Sequence, residues 1–221
     1  MIIAIEGIDG SGKNTQTEVL LSKLINEGFD ASKMGFPCYE STFFGQEVAN
    51  YLNGKFGSLS EVPAKFSSLL YAGDRFEKKH EIIEKSSNNK ILVIDRYVAS
   101  NIAHQTAKLY DEDREILKKW IEHLEYHVYG LPKPDVCILL NLDVSTSSEL
   151  VLKKEARNYT SKNKDLHEED DNYLSKVAVV YKELAMESDY WNTIECLDNG
   201  ILRSIEDISE EIYEKVNRFI K

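Results

Sequence analysis

Cysteine is scarce: Cys38, Cys137 and Cys196 are the only three in 221 residues. Three thiols, odd in number and far apart, support neither a disulfide framework nor a zinc site, and they fit a reducing cytoplasm. Proline and glycine are also few, at 4 and 11. Nothing therefore punctuates the chain into parts, and a single domain over 1–221 is expected, long enough for a sizeable core. No apolar run approaches the about 20 residues that cross a bilayer. The opening MIIAIEGIDG has neither the basic start nor the small-residue cleavage site of a secretion signal. Positive charge is in deficit, with 27 Lys and Arg against 38 Asp and Glu, a net −11. That argues against a protein living on nucleic acid or an anionic membrane. Any anionic ligand must be captured by a few local cations against the overall field.

What the chain does contain is alternation. Short apolar runs lie at IIAI (2–5), ILVID (91–95), DVCILLNL (135–142) and TIECL (193–197), with a weaker one at ASKMGF (31–36). The first three strong runs are rich in Ile, Val and Leu, as strands buried on both faces are. Amphipathic stretches fall at 14–27, 62–86, 111–128, 171–187 and 204–220. The pattern predicts a three-layer α/β/α fold, a five-stranded parallel sheet flanked by helices. One segment, KKEARNYTSKNKDLHEEDD (153–171), is almost wholly polar, basic then acidic. It reads either as a solvated helix–loop or as a short lid that brings charge over a substrate.

GIDGSGKN, residues 7–14, carries Gly7, Gly12 and Lys13 in the G-x-x-x-x-G-K spacing. A strand before it and a helix after it are the context such a phosphate loop needs. Glycines let successive N–H groups point inward, and the helix N-terminus adds partial positive charge. Lys13 can reach β- and γ-phosphates. Asn14 is the misfit, because a Ser or Thr hydroxyl usually ligates Mg²⁺ there. An Asn amide oxygen can also ligate a hard cation, and Thr15 still offers a hydroxyl.

A second anionic site is expected after ILVI. Asp95 ends a strand at the mouth of the sheet, placed to hold the hydration shell of Mg²⁺, and Arg96 beside it can clamp a second phosphate. Tyr71 and Arg75 are at helical spacing and share a face, a ring for a base and a cation for a phosphate. His123 and His127, also at that spacing, have no evident third metal ligand.

Taken together, GIDGSGKNTQ, FPCYES, LLYAGDRFE, IDRYVASNIAHQ and DLHEEDDNYLSKV resemble the thymidylate kinase family, in the same order and over nearly the whole chain. The resemblance implies a P-loop NTPase fold with a lid, ATP as donor, dTMP as acceptor, Mg²⁺ as cofactor and a homodimer. It implies an ATP site at Gly7, Asp9, Gly10, Ser11, Gly12, Lys13, Asn14 and Thr15. It implies an acceptor site in which Asp9 faces the sugar and phosphate, Phe36 and Pro37 shape the pocket, and Tyr71 stacks on thymine. There Arg75 bonds the base or holds the site together, and Arg96 holds the phosphate. Ser100 and Asn101 line the base pocket, and His104 and Gln105 lie near sugar and base. Lys13, Arg96, Asp9 and Arg157 carry the catalysis, with Lys153, Lys162 and Lys164 as further lid cations and His167 as a possible hinge contact. Gly10 stands where some members carry an Arg, so the lid must supply that charge. Cys38 stands where many carry an Arg after Phe-Pro; Lys55 is a candidate replacement, and Cys38 itself reads as passive. The residues alone leave open another nucleoside or nucleoside-monophosphate kinase, and a nucleotide-binding protein with impaired catalysis. No N/T-K-x-D base-reading motif supports a GTPase switch.

Overall fold

The computed structural model describes residues 1–59, 61–152 and 171–220. The strands are β1 (Ile2–Glu6), β2 (Ala31–Gly35), β3 (Ile91–Asp95), β4 (Val136–Asn141) and β5 (Trp191–Glu195). They form one parallel sheet in the order β2-β3-β1-β4-β5. Alternation along each strand sends side chains to opposite faces. Ile2, Ala4, Leu92, Ile94, Cys137 and Leu139 enter one core, and Ile3, Ile5, Val93, Ile138 and Leu140 the other. Both cores are sealed by helices, so the central strands are apolar throughout, as their sequences require.

The helices are α1 (Lys13–Asn26), α2 (Phe43–Leu52), α3 (Ala64–Glu77), α4 (Lys79–Ser86), α5 (Val98–Thr106), α6 (Asp111–Glu122), α7 (Val144–Leu152), α8 (Asp171–Ala185) and α9 (Ile205–Asn217). Leu20 and Leu24 of α1 pack with Ile208, Ile212 and Val216 of α9 on one side of the sheet. On the other, Ile82, Ile102, Leu117, Ile121, Val177 and Tyr181 come from α4, α5, α6 and α8. Strand order reverses between β3 and β4 on either side of β1, which opens the crevice where such sheets bind ligands.

Several expected boundaries shift for identifiable reasons. The stretch 62–86 breaks at Lys78, whose N–H bonds Arg75 O at 3.1 Å, giving α3 and α4. The stretch 111–128 is helical, but its last turn, His123–Val128, is a π-helix. There Tyr129 N–H reaches Leu124 O at 2.8 Å, and the wider turn aims Glu125 into the core. Three helices had no clear periodic signal. In α5 all but Ala99 are buried, which erases the polar face that reveals amphipathicity. In α7 the run VSTSSELVL reads as loop, yet Asp143 accepts from Thr146 N–H at 2.8 Å and starts the helix. In α2 Thr42 caps the first turn by accepting from Gly45 N–H. The last strand sits two residues early, and the chain after it forms a hairpin, β6 (Leu197–Asp198) with β7 (Ile201–Leu202). The expected lid cations Lys153, Arg157, Lys162 and Lys164, with His167, lie outside the described residues. All three thiols are unpaired.

Candidate active site

The 7–13 loop leaves β1 and enters α1 through Gly12, whose φ of 87 is left-handed, a conformation that favours glycine. Gly10 is fixed twice over: its φ is +80, and a Cβ there would meet Ser147 O of α7 at 2.4 Å. A side chain at position 10 is therefore excluded in this chain by α7, which also bonds Asp9 O through Ser147 Oγ. Lys13 is buried and donates to Ile8 O at 2.7 Å, curled across the loop. Ser11 Oγ is buried without a partner. Asn14 and Thr15 are exposed in the first turn of α1.

Next to this loop, β3 pairs with β1 so that Asp95 lies beside Ile5. Asp95 Oδ1 is buried without a hydrogen-bond partner. No group of three or more His, Cys, Asp or Glu suited to a metal occurs among the described residues, and His123 and His127 stack on each other at 5.5 Å. An orphan carboxylate oxygen fits a hard cation that takes its other oxygens from phosphates and water.

Arg96 follows Asp95 at a φ of 67, unusual for a residue with a side chain and the kind of strain that collects at functional sites. The turn drives its guanidinium back over the loop. It ion-pairs with Asp9 and donates to Gly7 O at 3.3 Å, to Ser100 Oγ at 3.3 Å and to His104 Nε2 at 3.4 Å. Burial opposes its charge, but Asp9 and the acidic groups around it hold it protonated well above the usual arginine value. Burial, then Arg96, pull His104 down to about 3. A neutral His104 that accepts at Nε2 carries its proton on Nδ1, which faces Tyr173 OH at 3.2 Å; that hydroxyl donates to His104 O at 2.7 Å.

Beneath this lies Glu6, fully buried at the end of β1. It accepts from Tyr97 N–H at 2.8 Å, Ser100 Oγ at 2.6 Å and Tyr181 OH at 3.2 Å. Burial raises its pKa, against the lowering effect of these hydrogen bonds. Glu6 thereby anchors the turn that carries Arg96.

The far wall is built differently. Asp74 of α3 accepts from Cys38 N–H at 2.9 Å and from Thr42 Oγ1, which clamps the segment carrying Phe36 and Pro37. Arg75 donates from Nε and Nη2 to Glu125 at 2.5 and 2.7 Å. Two of the three guanidinium nitrogens are thus committed to a buried carboxylate from the π-turn. Lys55 bonds Asn50 Oδ1 at 2.8 Å on the surface and does not reach the cleft. Burial pushes the Cys38 thiol up to about 11, and its Sγ bonds Gly35 O, so it is inert.

These walls border an open cleft with a cavity volume of about 50 Å³. It is lined by Asp9, Phe36, Pro37, Tyr71, Arg75, Arg96, Ser100, Asn101, His104 and Gln105, the full set the sequence picked for the acceptor, together with Tyr39 and Leu52. Two of its polar atoms are buried and unpartnered, Asn101 Oδ1 and Gln105 Nε2. Sequence reasoning missed Glu6, Asp74, Glu125, Ser147, Tyr173 and Tyr181. Glu6 was findable as a carboxylate closing an apolar strand, and Tyr173 lies inside DNYLSKV. Glu125 had no signal in a stretch already rich in charge.

Comparison with known proteins places this geometry. The sequence model described as thymidylate kinase matches residues 5–212. The thymidylate kinase of Mycobacterium tuberculosis is 31% identical over 84% of this chain and 86% of its own. That of Plasmodium falciparum is 30% identical over 98% of this chain and 89% of its own. The structure of thymidylate kinase from Candida albicans superposes with a TM-score of 0.73 at 24% identity, covering 100% of this chain and 93% of that one.

Proposed function

We propose, from the premise that this chain belongs to the thymidylate kinase family, that its cleft holds dTMP and its 7–15 loop holds ATP. The chain transfers the γ-phosphoryl group of ATP to dTMP, giving dTDP and ADP. The observation that supports the site assignment is the convergence on one cleft of the ten acceptor residues that the family resemblance implied.

Phosphoryl transfer needs alignment and positive charge more than covalent help. Lys13 exchanges Ile8 O for the β- and γ-phosphates, while the amides of Gly10, Ser11, Gly12 and Asn14 surround them. Arg96, poised at the junction of loop and cleft, holds the acceptor phosphate in line, and Asp9 keeps that guanidinium aimed until the phosphate arrives. The acceptor is already an anion, so no general base is needed. Arg157 brings positive charge to the transferring group from beyond the described residues. Asp95 and Asn14, partly through water, would hold Mg²⁺, which would supply positive charge against the ATP phosphates. Tyr71 stacks on the base, Ser100 and Asn101 line the base pocket with Arg75, and His104 and Gln105 lie near the sugar and base. The chain works in the cytoplasm as a single-domain protomer of a homodimer; no helix among the described residues is long and apolar enough to cross a membrane.

The test is a coupled ADP-release assay with ATP, Mg²⁺ and a panel of dTMP, dUMP, UMP, CMP and AMP. dTMP is expected to be the best acceptor, dUMP slower and the ribonucleotides poor. A preference for any other acceptor would overturn the placing of thymine in this cleft.

A further inference from the structure

One carboxylate organises the base end of the cleft without lining it. Glu125 is 0% exposed and is delivered by the π-turn after α6. It accepts from Arg75 Nε and Nη2 at 2.5 and 2.7 Å and from Asn101 Nδ2 at 2.8 Å. Asn101 Nδ2 also donates to Ser68 O at 3.0 Å. Both of those partners can only accept, so the amide must turn its nitrogen towards them. Its oxygen is left facing the other way, buried and without a protein partner. Arg75, with two nitrogens taken, has Nη1 left over on a residue that lines the cleft. Asn101 and Arg75, both lining the cleft, thus keep one acceptor atom and one donor atom uncommitted, and both side chains hang from the same carboxylate.

That pair complements an imide edge, a ring N–H next to a carbonyl oxygen, as in thymine and uracil. It opposes cytosine, whose ring nitrogen accepts and whose amino group donates. We propose that Glu125 is a specificity-determining positioning residue: by fixing Asn101 and Arg75 it makes the cleft accept imide bases and reject amidine ones. The proposal rests on the reading of this cleft as the dTMP site. A purely structural ion pair would instead affect all acceptors alike.

The full chain separates the two with ATP and a matched pair of acceptors, dTMP and 5-methyl-dCMP, which differ only in that edge. The wild type is expected to favour dTMP strongly in kcat/KM. In Glu125→Gln the side chain keeps one acceptor oxygen for Arg75 and turns its N–H₂ towards Asn101 Nδ2, which is then held by Ser68 O alone, so the amide that presents Oδ1 is no longer fixed from both sides. The dTMP to 5-methyl-dCMP ratio should fall roughly tenfold, as expected when a buried hydrogen bond that fixes the reading amide is lost, mainly through a higher KM for dTMP. Glu125→Asp keeps a counter-ion for Arg75 but has one methylene less of reach, and should lose part of the ratio. It also decides the matter if Glu125→Gln does not fold. Folded variants that lose activity equally on both acceptors, with the ratio unchanged, would overturn the role of Glu125 while leaving the kinase assignment intact. A wild type that ignores dTMP would remove the premise itself.

Discussion

Two arginines face the same cleft, each paired with a carboxylate, and access divides them. The Arg75 and Glu125 side chains are 1% and 0% exposed, whereas those of Arg96 and Asp9 are 14% and 24% exposed. The first pair is sealed between α3 and the π-turn, and the second lies open where loop and cleft meet. A sealed pair has exchanged its hydration for one partner and cannot trade it for a ligand. An open pair can release its carboxylate to an incoming phosphate at little cost. The difference teaches that burial sorts two arginines of equal sequence prominence into one whose carboxylate pairing is permanent and one whose pairing a ligand can replace.

The contrast breaks most readily at the two arginines themselves. Arg96→Ala is expected to cut turnover by roughly a thousandfold or more, as loss of a cation at a transferring phosphoryl group does, with little change in Tm. Arg75→Ala should do the reverse in kind, costing about 3–5 kcal/mol of stability by stranding the Glu125 charge, read in a denaturant melt. Near-normal rates in the first or an unchanged melt in the second would erase the distinction.

The junction between the open region and the rest is sharpened by Gly10→Ala. A positive φ and the Ser147 carbonyl at 2.4 Å leave no room for a methyl. Strain of about 1–3 kcal/mol is expected, appearing as a raised KM for ATP with dTMP affinity less affected.

A smaller effect concerns His104, which touches the open pair. Its folded pKa of about 3 lies below the 6.5 of an ordinary histidine. Between those values the unfolded chain binds the proton and the folded one does not, so stability contributed here is complete above pH 6.5 and is lost progressively as pH falls towards 3. An NMR titration should show no His104 transition near pH 6.5; finding one there would contradict the burial.

The smallest expected change is Asn14→Thr, at an exposed position of the phosphate loop. It should preserve or raise activity and lower the Mg²⁺ concentration needed for half-maximal rate. No effect on either would remove Asn14 from the cation site.

The two halves of the site were unequally legible. Gly7, Gly12 and Lys13 are contiguous, and their geometry follows from one strand–loop–helix unit, so spacing alone exposed them. Asp95 and Arg96 were legible because a charge interrupting an apolar strand marks the sheet's mouth. Arg75 was visible but its partner was not, since Glu125 lies 50 residues further on and nothing local announces a π-turn. α5 was hidden for the opposite reason, being buried almost all round.

The sequence by itself determined the alternation that makes a parallel sheet and the phosphate loop, because those depend on neighbours within one or two turns, and its resemblance to a family implied the residues of the acceptor cleft. Only the tertiary structure decided which arginine is sealed, which way the Asn101 amide points and why position 10 admits no side chain. Those outcomes come from groups far apart in the chain competing for the same buried donors, acceptors and space, and such competition has no local signature.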